Sequence, residues 1–296
     1  MRIVSLLPSA TEILHAIGAG PEVVGVTFEC DYPPQAREAR IVSTSSLPEG
    51  LSLAAIDSVV TERAKKGEDL YHLDRGALAG LDADVIVTQD LCAVCAVDVS
   101  VVADALAYLD SAAQVVTTDP HTLEEVLASI EQLGAVCGKA VAAKELVDAC
   151  RARLEAVAAT VAGRRRPRML VLEWTDPPFA PGHWIPEMVE VAGGVSALGS
   201  AGEKSHRVSW DDVADSEPKV VVVAPCGFDL SACEAQGREL VATGRLPEGA
   251  EVWAVDANAS FARPGPRLVE GVEALASVLH PDVCGEPDPT YAARVR

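Results

Sequence analysis

The sequence predicts an α/β protein of two similar lobes with parallel sheets, joined by one long backbone helix, with a ligand cleft between the lobes. Three observations predict it. Short β-branched runs alternate with helical stretches along most of the chain, the pattern of parallel sheets. The stretch Lys139–Gly163 is rich in Ala, Leu, Lys, Glu and Arg and lacks Pro, so it forms a helix of about 37 Å, longer than a crossover needs. The segment Leu81–Val87 is echoed by Asp215–Val222, each a helix end, an acidic turn and a buried strand leading into a Cys-bearing loop. The expected domains are a first lobe over 1–118, a helical connection over 119–166, a second lobe over 167–280 and a loose tail over 281–296.

In chain order, Ile3–Leu7 is the first strand, and Ser9 or Thr11 caps a short helix ending near Gly18-Ala19-Gly20. Glu22–Thr27 is the second strand, and its exit, Phe28–Pro34, turns at a double Pro. Ala54–Ala64 and Leu73–Leu81 are predicted helices. Asp84–Thr88 is an unbroken apolar strand of the kind buried on both faces, with exit Gln89–Cys95. A helix at Val101–Leu109, a strand at Gln114–Thr117 and a helix at Leu123–Cys137, capped by Asp119 or Thr122, lead to the long helix. Its apolar residues Val141, Leu146, Val147, Cys150, Leu154, Val157 and Val161 recur every three or four positions. Gly163 supplies a C-cap, and Pro167 prevents continuation.

Beyond it, Met169–Glu173 is a strand with the ring-rich exit Trp174–Trp184, then a helix at Ile185–Ala192. Ser209–Asp215 is a capped turn. Lys219–Val223 is a strand with exit Ala224–Phe228, Leu230–Thr243 a helix, Glu251–Val255 a strand with exit Asp256–Arg267, and Leu268–Leu279 the last helix.

Composition narrows the function. The 296 residues are 49% apolar, enough for full cores. A net charge of −20 argues against nucleic acid and anionic membranes as partners. No apolar run of eighteen residues exists, so membrane insertion is not expected. Met1 leads straight into a strand, so a cytoplasmic location is expected, or a periplasmic or extracellular one if a leader has been removed.

The chain has four each of Phe, Tyr and Trp. Phe28, Tyr32, Trp174, Phe179, Trp184, Phe228 and Phe261 fall at strand exits, and Trp210 precedes a helix. Rings at the carboxyl ends of parallel strands suit a flat or bulky ligand, because that edge is where α/β sheets bind. Rings plugging the sheet ends are the alternative. Polar groups near the same exits are Asp31, Asp90, His183 and Arg263, the histidine as hydrogen-bond partner or axial ligand.

There are eight cysteines, too many to ignore and, in a reducing compartment, not disulfides. Cys92-Ala93-Val94-Cys95 is a CxxC with three open readings. It is half of a metal site completed by Cys30, Cys226 or His183, a redox pair, or packing in a small-residue loop. No GxSxG, Walker loop, HExxH or strand-borne GxGxxG occurs.

With these residues laid out, the chain resembles the helical-backbone class of solute-binding proteins that serve cobalamin, siderophore and metal-ion ABC importers, most of all its cobalamin-binding branch. The resemblance spans about Ile3 to Leu279. It is carried by SLLPSATEILHAIGAGPEVVGVT, CDYPPQA, VST, the Trp174–Trp184 segment with Pro177-Pro178-Phe179, Trp210 and the Phe261–Arg267 loop. It implies two α/β lobes on one long helix and a cobalamin or related corrinoid as ligand. Tyr32 and Phe179 match cleft rings, Trp210 a second-lobe ring and Phe261 the ring of the last exit loop. The class's first-lobe tryptophan is replaced by the Gln89–Cys95 segment, and Thr61–Leu73 looks inserted. Glu62 and Glu203 are candidates for the acidic tips that dock on an ABC permease, a partner only of an exported chain. The expected function is therefore corrinoid binding for capture, storage or delivery. The alternatives are a soft-metal-ion protein using cleft Cys and His, and a cytosolic enzyme using cleft thiols.

Overall fold

The computed structural model of the chain describes residues 1–48, 50–66, 68, 70–89, 99–108 and 111–296. The chain divides into two units: Met1–Asp119 with Leu127–Val147, and Pro120–Val126 with Asp148–Arg296.

Unit 1 holds β1 (Ile3–Ser5), α1 (Pro8–Ala16), β2 (Val23–Thr27), β3 (Arg40–Ser45), α2 (Leu53–Lys66), β4 (Tyr71–Leu73), α3 (Arg75–Leu78), β5 (Val85–Thr88), α4 (Val99–Tyr108) and β6 (Gln114–Thr117). The strands form a sheet of order β4-β3-β2-β1-β5-β6, parallel except where β4 runs against β3. Val4, Leu6, Val42, Ile86 and the helix residues Val102, Ala105 and Leu106 build one of its cores. Two expectations are corrected here. The Leu73–Leu81 helix is only Arg75–Leu78, capped by Asp74, because Tyr71–Leu73 extends along Ser43–Ser45 instead. Strand β3, with sequence RIVSTS, lies outside the predicted strands altogether. Four of its six residues are polar, so its place is set by pairing with β2 and not by its own apolar pattern.

Helices α5 (Leu123–Val136) and α6 (Ala140–Val161) each carry residues of both units. The 22-residue α6 is the predicted long helix, about 33 Å from its rise per residue. Ala143, Val147, Cys150 and Val161 are its buried positions, with Leu154 and Val157 half-buried between them, the three-and-four spacing of one face. In unit 2, Arg153 holds α6 to the last long helix by a forked pairing with Glu273 (2.9 and 2.6 Å) and a further bond to Glu270 (3.1 Å).

Unit 2 continues with β7 (Arg168–Leu172), β8 (Trp174–Thr175), β9 (Pro178–Ala180), α7 (Ile185–Val191), β10 (Val195–Ser196), β11 (His206–Arg207), α8 (Trp210–Asp215), β12 (Val220–Val223), α9 (Leu230–Ala242), β13 (Glu251–Val255), α10 (Ala257–Ser260), α11 (Leu268–Leu279), α12 (Pro281–Cys284) and β14 (Ala292–Arg294). Its main sheet has order β10-β7-β12-β13-β14. Successive strand residues point to opposite faces, and here both faces are covered. Met169, Val171, Val220, Val222 and Ala254 enter one core with α7 and α11, while Leu170, Leu172, Val221, Val223 and Val252 enter another with Val213 and Leu240. Beside this sheet stands a small antiparallel one of order β11-β9-β8. The sheets are therefore mixed rather than wholly parallel.

The expected loose tail is also corrected. Pro281–Cys284 is a helical turn, and Ala292–Arg294 pairs antiparallel with Trp253–Val255 of β13. Arg296 closes the edge, its guanidinium donating to the Pro247 (2.7 Å) and Ala250 (3.0 Å) carbonyls. Short polar strands of this kind are stabilised by the partner they cover. Deleting Tyr291–Arg296 is expected to cost about 2–4 kcal/mol, from several net hydrogen bonds and the burial of Ala292. Thermal or urea unfolding measures it, and an unchanged midpoint would restore the loose-tail reading.

Candidate functional site

The carboxyl ends of β7 and β12 carry the ring cluster of unit 2. Strand β7 ends in Glu173, and the chain turns at once into the β8–β9 hairpin. Pairing places Trp174 opposite Phe179, and Phe179 opposite Arg207 of β11. Directly opposed residues share a face, so Trp174, Phe179 and Arg207 form one row across three strands. The Arg207 guanidinium lies 5.8 Å from the Phe179 ring centroid. Phe228, on the loop after β12, meets Trp174 with centroids 5.9 Å apart at 57°. The Trp174 indole N–H donates to the Asp176 carbonyl (3.1 Å), which fixes the ring's edge. All three rings are half-buried, anchored by packing and still presenting surface.

Two loops behind this row interlock. The Gly182 N–H donates to Glu173 Oε1 (2.8 Å), and the Ser205 hydroxyl donates to the same carboxyl group. The His183 N–H donates to the Glu203 carbonyl (2.6 Å), and the Gly202 N–H to the His183 carbonyl (3.0 Å). Space at the contact admits only glycine: a Cβ on Gly182 would lie 2.1 Å from the Ser205 nitrogen, and one on Gly199 1.9 Å from the Pro181 oxygen. His183 itself has φ +50°, and its ring meets those of His121 and Trp184 in tilted contacts, with centroids 5.6 Å from each. His121 Nδ1 sits 3.2 Å from the Gly202 carbonyl, which only accepts, so that nitrogen carries the hydrogen.

These surroundings move protons. Glu173 as a residue is half-buried, but its carboxyl is enclosed, and burial pushes it up to about 7 against the pull of its two donors. Burial holds the His183 imidazole below its usual value, and His121 and Lys204 act in the same direction.

Other sequence-predicted residues take different places. Phe261 is 1% exposed and Trp184 7%, both in a core, with the Trp184 indole donating to the Phe261 carbonyl (2.8 Å). Phe261 closes the helical turn α10 and Trp184 is the N-cap residue of α7, and both rings pack and do not project. Trp210 opens α8 behind the Ser209–Asp212 capping box and packs on a core, with the Arg245 guanidinium 5.6 Å away. Arg263 is buried. Burial raises the nearby Asp256 carboxyl, against the pull of the Ala259 amide and of the Arg267 and Arg263 charges.

In unit 1, Tyr32 is 45% and Phe28 38% exposed, with Phe28 6.1 Å from the Tyr71 ring, and Asp31 is half-buried. Cys30 is buried with Sγ 3.0 Å from the Thr11 hydroxyl, a packed thiol, whereas Cys226 is exposed in unit 2. Asp90 and the Cys92–Cys95 pair lie outside the described residues. Among the described residues no three His, Cys, Asp or Glu side chains gather to hold a metal ion. The residues that sequence reasoning missed are Glu173 and Arg207. An acid closing an otherwise apolar strand was the available signal for the first; Arg207 had none, because its value depends on pairing across the small sheet.

A ring row at the exits of a two-unit α/β chain is what a solute-binding protein presents to a small molecule. Residues 3–242 match the profile of the periplasmic binding protein family, and the chain belongs to that family. Its members are solute-binding proteins, not enzymes, which sets aside the cleft-thiol enzyme. An uncharacterised ABC transporter substrate-binding lipoprotein of Bacillus subtilis is 26% identical over 292 residues, 96% of this chain and 82% of the relative. The vitamin B12-binding protein of Vibrio cholerae is 25% identical over 287 residues, 94% of this chain and 88% of the relative. Among solved structures, the periplasmic vitamin B12-binding protein of Vibrio cholerae matches with TM-score 0.66 at 24% identity, over 94% of this chain and 96% of that one. A periplasmic heme-binding protein of Pseudomonas aeruginosa matches with TM-score 0.69 at 19% identity, over 99% and 97%. These two establish the fold. No helix among the described residues is long and apolar enough to cross a membrane.

Replacing Gly182 by Ala is expected to push the two loops apart. A loss of about 1–3 kcal/mol in unfolding free energy, with a change in tryptophan emission from Trp174 and Trp184, checks the interlock. A variant indistinguishable from the parent would refute it.

Proposed function

We propose that the chain binds a flat metal chelate of the corrinoid type, cobalamin by preference, as the solute-binding partner of an ABC permease. The observation that carries this reading is the row of Trp174, Phe179 and Arg207 with Phe228 against it. Ring faces suit a broad, weakly polar macrocycle, and the guanidinium at the row's end suits a negatively charged substituent on its rim. The vitamin B12-binding relatives, at 25% identity across nearly the whole chain, favour the corrinoid. Heme is the second reading, favoured by the heme-binding proteins among the fold neighbours. It offers the same flat face with carboxylates at the rim. Use of the chain as a store or carrier inside the cell differs from both only in where the protein resides, which cell fractionation decides.

Titrating purified protein with cyanocobalamin and separately with hemin, by calorimetry and absorbance, tests the proposal. Cobalamin binding in the micromolar range or tighter supports the first reading, hemin binding alone the second, and neither ligand at millimolar concentration ends both. Trp174→Ala is expected to weaken the bound ligand about tenfold or more, the effect of losing one stacked ring. Tyr32→Ala in the same assay reports whether unit 1 contributes to the same ligand.

A further inference from the structure

We propose that Glu173 is a positioning residue, the proton-dependent latch that holds the ring-bearing hairpin of unit 2 against the loop of residues 199–205. The geometry gives it that place. Its backbone ends β7, its neighbour Trp174 opens the ring row, and its carboxyl joins the two loops through Gly182 and Ser205. The glycine contacts leave no slack for either loop to shift alone.

The charged and titratable groups around the latch are His183 on its own loop, Glu203 and Lys204 on the facing loop, His206 at the start of β11, His121 ahead of α5 and Cys226, whose N–H donates to the Glu173 carbonyl (3.2 Å). Neutral Glu173 keeps both contacts: its carbonyl oxygen accepts from Gly182, and its hydroxyl can donate to Ser205. Ionised Glu173 keeps them too, but as an enclosed charge. The folded chain therefore holds this proton more tightly than the unfolded chain, and the stability that Glu173 contributes is full below about 4.5 and is lost progressively as the pH rises from there to about 7. His183 acts in the opposite sense. Its folded value lies below 6.5, so its contribution is present above 6.5 and lost as the pH falls. Between the two limits the interlocked loops carry neither charge. Below 6.5 the two slopes oppose each other, and from 6.5 to about 7 the Glu173 loss runs unopposed, so the hairpin is held more tightly at pH 6.5 than above pH 7. As a latch this stands on the structure alone; as a device for ligand positioning it rests on the reading above.

The test measures the thermal midpoint and the hydrogen exchange of the segment around Gly182 between about pH 5 and pH 9 in the parent chain, Glu173→Gln and His183→Asn. Gln keeps the shape and cannot ionise; Asn tolerates the positive φ. The parent should lose protection between pH 6.5 and about 7. Glu173→Gln should abolish the fall that runs up to about 7 and leave only the His183 rise below 6.5, and His183→Asn should leave the Glu173 fall from about 4.5 to 7 unopposed, each with a midpoint difference of several degrees from the parent. A Glu173→Gln variant that tracks the parent at every pH overturns the proposal. If Glu173→Gln does not fold, Glu173→Asp keeps an ionisable group and shortens the reach, and faster exchange with a fall in protection still present up to about pH 7 is expected; unchanged exchange overturns the latch. Cyanocobalamin or hemin affinity across the same pH range is the second readout. If neither ligand binds, the ligand reading fails while the exchange data still decide the latch. If a ligand binds with the same affinity at every pH, the latch does not position it.

Discussion

Burial of the central strands on both faces is the constraint on which unit 2 depends. Val220–Val223 and Leu170–Leu172 are fully enclosed or nearly so, with alternate residues committed to two different cores. A polar side chain inside such a strand would cost several kcal/mol without a partner. Polarity is therefore displaced to the first residue beyond the ladder, where turning chain brings free N–H groups within reach. Glu173 is that residue on β7, and Asp229 and Asp256 follow the same logic near the ends of β12 and β13, each capping the helix that comes next. The strands make the core, and their exits inherit the chemistry.

The same constraint explains what was legible in the sequence. Continuous apolar runs announced β5, β7, β12 and β13, and three-and-four spacing announced α6, because burial alone dictates those patterns. Strands β3, β4, β11 and β14 gave no such signal. They are short or polar, and their hydrogen bonds to a neighbouring strand outweigh their weak local preference. The site was half legible for a related reason. Trp174, Phe179 and Phe228 were found because rings at exits are conspicuous in a chain poor in them. Trp184 and Phe261 have the same sequence signature and lie in the core, since each borders a helix, α7 and α10 respectively, whose packing decides on which side of the exit loop the ring falls.

The duplication seen in the sequence extends to the strands but not to their ends. In unit 1 the parallel strands close on hydroxyl groups: Ser5, Thr27, Ser43 and Thr88 are buried there, with Ser43 donating to Thr27 (2.7 Å) and Thr11 to Ser5 (2.9 Å). Small neutral groups satisfy one another without a charge and fit any pH. In unit 2 the corresponding edge uses an enclosed carboxyl, pushed up to about 7, and an imidazole held below its usual value. Among the described residues, repeated βα architecture thus carries two chemically different sets of strand ends, neutral hydroxyls in unit 1 and ionisable side chains in unit 2.

Stacked arginines do not by themselves mark the site. Unit 2 places Arg207 over Phe179, Arg245 over Trp210 and Arg294 over Trp253, at 5.8, 5.6 and 6.0 Å. An exposed pair of this kind is worth about 0.5–1 kcal/mol, so three of them amount to ordinary surface cohesion in a chain of net charge −20. Trp210 is tied to a core by the helix it opens, and Trp253 is held within β13. Only Phe179 has a second ring opposite it in register, and only that ring, Trp174, meets a third from another loop. What distinguishes the edge of β7 and β12 is the contiguous apolar face made by three rings. A ligand that lay across that face would gain from area first and from the guanidinium second.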